Sequence, residues 1–202
     1  GGANLEVMEE AVRYNRFLLG LIEPRGRVLD FGAGTGLLAT AAHAAPAAYA
    51  IDPTHTFATF EIDHFGASTN RVRFDKKSGT VQFDKAGKSG KVEVALDMSS
   101  VNSGTAAFDK HLKSAEIFNA EKFPEAKFVS DKFVFDGDKL KEVTGQLTLN
   151  GQTHPITIKS NKFTCYDSPM LKREVCGGDF EATIDRTQWG MNYGVYWGFS
   201  KN

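Results

Sequence analysis

Asn150-Gly151 restricts this chain more than any other pair of residues. It separates two alternating runs, VTGQLTL and THPITIKS. Both residues tolerate φ > 0, which a two-residue type I′ turn demands, so the runs are expected to form an antiparallel hairpin. In the first run Val143, Gly145, Leu147 and Leu149 share one face, and Thr144, Gln146 and Thr148 the other. That pattern implies an antiparallel sheet with one apolar side. Upstream lies a compact aromatic segment, FNAEKFPEAKF, from Phe118 to Phe128, with Pro124 closing its turn.

The same alternation recurs elsewhere. In FATFEIDHF, Ala58, Phe60, Ile62 and His64 oppose Thr59, Glu61 and Asp63. In KVEVALDMS, Val92, Val94, Leu96 and Met98 are apolar, and DFEATIDR repeats the theme with Phe180, Ala182 and Ile184. Turns are read at Gly79, Asp84 to Gly90, Asp136 to Asp138 and Gly177-Gly178. One helix is expected over Thr105 to Ser114, capped at Ser103 and turning Phe108 and Leu112 inward. The fold class is therefore all-β, an antiparallel barrel of about eight strands with one short helix. A barrel of that size is either filled by side chains or holds one ligand, and both remain open at this point. Its candidate inner surface combines Phe60, Ile62, Val94, Leu96 and Met98 with Leu147, Leu149, Phe180 and Ile184. Phe118, Phe123 and Phe128 would join it from the aromatic segment.

Residues 1–48 read differently, as an appended segment before a barrel domain at 49–202. Asn4 to Ile22 has helical apolar spacing, with Asn4 as N-cap and Pro24 ending the run. Arg27-Val-Leu-Asp-Phe then enters a glycine-rich turn, Gly32 to Gly36. VLDFGAGTG resembles the first motif of class I S-adenosylmethionine-dependent methyltransferases, but the alternating strands and helices such a fold needs do not follow it. A methyltransferase fragment is thus a minor alternative. The Ala-rich stretch to Ala48, with Ala42-His43-Ala44, looks like the end of a secretory signal peptide or a linker. A chimeric origin fits such a join.

Little in the chain suggests catalysis. Its 24 basic and 25 acidic residues leave a net charge of −1, so nucleic acid is not an expected partner. The histidines at 43, 55, 64, 111 and 154 show no metal-ligand spacing, and no GxSxG elbow is present. His64 is read as a barrel histidine and His111 as a helix-surface or hinge residue. Neither enzyme activity nor a metal site is expected. Cys165 and Cys176 flank a loop-like stretch, YDSPMLKREV. They are either free thiols or a disulfide across that loop. We read a disulfide, which would stabilise by about 3 kcal/mol in the chain-entropy model and persist only in an oxidising compartment.

Several motifs together resemble the YceI family: YAIDPTHTF from Tyr49, IDHFGAS from Ile62, DKHL from Asp109, FNAEKFPEAKFVS from Phe118, GQLTLNGQTHP from Gly145 and IDRTQWGM from Ile184. Members closest in pattern share the two cysteines, Ser168-Pro169 and Gly177-Gly178. The resemblance implies a lipocalin-like barrel in the periplasm that carries a long isoprenoid, such as ubiquinone-8 or a polyprenyl phosphate, as its hydrophobic ligand. No other cofactor is expected. Some members dimerise, so a homodimer stays open. The alternative is a structural or stress-related interaction protein with a filled core. Candidate donors for a ligand head group are Asn119 and Arg186, with the FNAEKFP turn as a gate. The chain departs from the family in ending at Asn202, before the strand that closes the barrel. The spare strand RVLDF, Arg27 to Phe31, is expected to fill that vacancy, in cis or from another chain. The 4–22 helix is expected to cover the mouth or mediate a contact.

Overall fold

Asn150 and Gly151 adopt φ values of 50° and 74°, and Leu149 pairs with Gln152 across them. This is the two-residue hairpin that their tolerance of positive φ allows. The computed structural model describes residues 27–31 and 46–202. The helix read at 4–22, the glycine-rich turn and the signal-like segment lie outside the described residues.

Eight strands close a barrel in the order β1 (Arg27–Phe31), β11 (Arg173–Glu181), β10 (Gln152–Ser168), β9 (Lys139–Leu149), β8 (Glu125–Asp136), β6 (Ser89–Asp97), β5 (Lys77–Asp84) and β2 (Ala47–Ile51). From β11 round to β2 every neighbouring pair is antiparallel. β1 fills the remaining gap in cis and runs parallel to both β11 and β2. The barrel is therefore not antiparallel throughout. A second sheet of β3 (Ala58–His64), β4 (Ser68–Phe74) and β7 (Val101–Asn102) stands beside it. Among the described residues one α-helix, α1 (Ala106–Lys113), buries Leu112.

Four local expectations are corrected. Helix α1 starts from Thr105, and Ser103 instead donates both its N–H and its hydroxyl to Asp109 Oδ1, each at 2.6 Å. Gly79 lies inside β5 and Gly177-Gly178 inside β11, not in turns. A Cβ at Gly79 would collide with the Glu93 carbonyl and one at Gly178 with the Lys162 carbonyl, so close strand approach accounts for these glycines. The stretch between the cysteines is mostly strand: β10 runs to Ser168 and β11 resumes at Arg173. The strand read through Ile184 stops at Glu181.

The apolar residues gather in two clusters. One fills an end of the barrel around Tyr49, Val81, Phe83 and Val143. The other joins the barrel to the second sheet and α1 through Phe74, Met98, Leu112, Phe118 and Trp189. The hairpin tip is locked into this second cluster. Asn150 Nδ2 donates to the Trp189 carbonyl at 2.9 Å, and Trp189 Nε1 donates to the Leu147 carbonyl at 3.1 Å.

An apolar cavity and its mouth

Alternation puts every second residue of a strand on one face, and the inward faces here surround a cavity of about 1250 Å³. β6 contributes Val92, Val94 and Leu96, followed by Met98, and β9 contributes Val143, Leu147 and Leu149. Phe128 enters from β8, and Phe180 from β11. Phe60 and Ile62 of β3 close the opposite wall together with Phe118, and Ile184 and Arg186 come from the segment after β11.

An aromatic plug seals one end. Phe83 lies 6.4 Å from Phe133, 6.2 Å from Phe135 and 5.4 Å from Phe163, ring centre to ring centre. Phe133, Phe135 and Phe163 lie beyond β-bulges that shift the strand phase, whereas Phe83 sits on the unbulged β5, whose alternation was not read. The register slips between Val129 and Lys132 in β8 and between Ser160 and Lys162 in β10. Beyond each bulge the inward set moves from even to odd positions. A second triad, Phe60, Phe74 and Phe118, packs with ring centres 5.6 to 5.8 Å apart under the second sheet.

The opening can be located from which residues reach the cavity. A wall seen face-on lends alternate residues, whereas a strand seen along its edge lends them all. Thr56 to His64, Ile156 to Lys159 and Glu181 to Ile184 each line the cavity without a gap. Among the described residues β3 is paired on one side only, by β4, and β10 up to Ile158 only by β9. The cavity thus opens between strand edges, with Tyr193, Phe199 and Lys201 of the C-terminal segment at its margin.

The two head-group candidates separate. Asn119 does not line the cavity. It is a turn residue at φ 46°, and its carbonyl accepts from Lys122 and Phe123 N–H. Arg186 does reach the cavity, yet its guanidinium already donates to three carbonyls: Ser200 at 2.9 Å, Met191 at 2.7 Å and Tyr193 at 2.9 Å. Burial presses its pKa down, opposed by the charge of Asp185. With five N–H donors and three in these bonds, two further N–H groups are left. Phe123 lies off the cavity, where a Cβ on Gly151 would strike its ring.

Other expected residues fall around the rim. His64 lines the mouth 5.5 Å from the Phe199 ring. His111 sits there too, its ring 4.7 Å from Tyr193 and its Nδ1 3.8 Å from Glu116. Cys165 and Cys176 form the disulfide, directly opposite one another on β10 and β11. Just before the lining run that starts at Thr56, Asp52 is buried. Burial pushes its carboxyl up, but hydrogen bonds from the Thr54 hydroxyl, the His55 ring and the Thr54 N–H, with the charge of His55, outweigh that and hold it below the usual carboxylate range. The His55 Nδ1 contact is 2.6 Å.

Comparison with known proteins places this arrangement. The model of the YceI-like domain matches residues 49–202. Protein YceI of Salmonella arizonae is 41% identical over 136 residues, covering 66% of this chain and 71% of that protein, and the protein of Salmonella paratyphi B matches equally. Among solved structures, the Campylobacter jejuni YCEI protein superposes with a TM-score of 0.54 at 21% identity, covering 79% of this chain and 91% of its own. Burkholderia cenocepacia BcnA does so with 0.53 at 20% identity, covering 69% and 84%. With its motifs, barrel and matched span in agreement, the chain belongs to the YceI family.

Proposed function

We propose that the protein is a periplasmic carrier that holds one long isoprenoid lipid, of the ubiquinone or polyprenyl phosphate type, inside its barrel. The observation that carries this reading is the cavity of about 1250 Å³ with a largely apolar wall. If a chain carbon takes roughly the 30 Å³ of a liquid water, the space accommodates on the order of 40 carbons, or about eight isoprene units. Each buried CH₂ contributes about 0.8 kcal/mol, so a long tail binds without any elaborate polar recognition. A head group left at the mouth would meet His64, His111, Tyr193 and the two spare N–H groups of Arg186. The disulfide supports an oxidising compartment.

Organic extraction of purified protein followed by mass spectrometry tests the reading. The expected result is an isoprenoid of about this length in near-stoichiometric amount. Protein that releases no lipid, and takes up none when offered a solubilised isoprenoid, would instead be a structural or interaction protein.

A further inference from the structure

Three large rings stand in solvent near the mouth. Tyr196 is 96% exposed, Trp197 64% and Phe65 53%. They are held there by their backbones. Phe65 sits at the tip of the β3–β4 hairpin with φ 58°, a conformation a bulky side chain rarely adopts. Tyr196 and Trp197 occupy a 3₁₀ turn, Val195–Trp197, bounded by Gly194 and Gly198, both in the left-handed region.

Phe65 and Trp197 continue the cavity wall, and Tyr196 precedes Trp197 in the same turn. Phe65 lies 4.4 Å from Phe199, Phe199 lies 6.4 Å from Tyr193, and Tyr193 lies 5.8 Å from Trp197. Phe199 and Tyr193 line the cavity. An unbroken aromatic path therefore runs from solvent, across the margin of the opening, and out again. Scaling typical ring areas by these exposures gives roughly 430 Å² of exposed aromatic surface. The patch runs without a break into the apolar mouth of the cavity. It suits insertion into a lipid–water interface, where Trp and Tyr place an apolar ring beside a polar tip.

We propose that Phe65, Tyr196 and Trp197 form a docking rim that seats the mouth on a phospholipid bilayer, so that an apolar ligand passes between membrane and cavity without crossing water. The passage of ligand rests on the carrier reading above; the docking itself does not.

Vesicles of phosphatidylcholine containing brominated lipid test it on the unmodified chain. Of the two tryptophans, Trp189 is 1% exposed and Trp197 is not, so quenching reports contact at Trp197. Phe65→Ser and Tyr196→Ser should each lower vesicle partitioning by on the order of tenfold, and the triple variant with Trp197→Ser should no longer sediment with vesicles. Uptake of solubilised geranylgeraniol is measured alongside, because none of the three residues lines the cavity. Wild-type protein that binds geranylgeraniol but ignores vesicles overturns the docking rim and leaves the carrier reading standing. So does a triple variant that sediments like wild type, or concentration-dependent self-association that consumes the rings in place of vesicles. Vesicle binding through these rings without geranylgeraniol uptake supports the rim and sinks the carrier reading instead.

Discussion

Replacing Arg186 by lysine separates two roles that one guanidinium could play. Its three bonds run to the Met191, Tyr193 and Ser200 carbonyls, and its own N–H donates to the Lys201 carbonyl at 2.9 Å. The side chain thus ties the segment from 191 to 202 across the margin of the cavity. Each bond is charge-assisted but half in solvent, so about 1 kcal/mol apiece is reasonable, or about 3 kcal/mol together. A lysine keeps the charge and can satisfy one carbonyl at a time, so about 2 kcal/mol is lost. That is a roughly 30-fold shift in the local opening equilibrium, and about 150-fold for Arg186→Met. The opening should show in hydrogen exchange at the bonded amides of Met191, Trp197, Gly198 and Phe199, with the barrel strands unchanged. Unaltered exchange there, combined with loss of bound ligand, would refute the latch and make Arg186 a head-group contact alone.

Reducing the Cys165–Cys176 disulfide should lower the unfolding free energy by about 3 kcal/mol in urea titrations with and without dithiothreitol; an unchanged midpoint would mean that β10 and β11 hold their register unaided. Asp52, with its folded pKa depressed, lends stability that is present above the unfolded carboxylate value of about 3.9 and lost as pH falls through the folded value. The stability gap between wild type and Asp52→Asn should therefore narrow below about pH 4, and a gap that widens there would reverse the sign of the reasoning. Gly151→Ala places a Cβ at φ 74° against the Phe123 ring and should cost about 2 kcal/mol by thermal unfolding, whereas a neutral outcome would mean that the turn can change type.

The sequence exposed what depends on strict alternation. The hairpin at Asn150-Gly151 and the inward faces of β3 and β6 follow directly from period-2 patterning. Patterning loses the thread at a bulge, since one extra residue reverses every later assignment on that strand. Phe133, Phe135 and Phe163, which form the aromatic plug, lie beyond such bulges in β8 and β10. Glycine misled for a related reason. Gly79 and Gly178 signal either a turn or a tight strand approach, and only the neighbouring backbone tells which. Asn119 shows the same ambiguity for a polar side chain: its left-handed φ makes it a turn residue, not a donor to the cavity.

Closure of the barrel combines both kinds of information. Between β2 and β11 the barrel needs one further strand. RVLDF was the available five-residue candidate, and it does fill the gap. Its direction was not legible, because parallel pairing leaves no turn signature and needs only a long connection. The seam it makes is short. Leu29, Asp30 and Phe31 pair with β11, and Arg27, Val28 and Leu29 with β2, whereas β10 and β11 stay paired from Lys159 to Ser168. Backbone groups on β2 and β11 would stand as open edges without it. Local opening begins where the fewest ladder bonds must break, so β1 is the seam at which this barrel is expected to give way first.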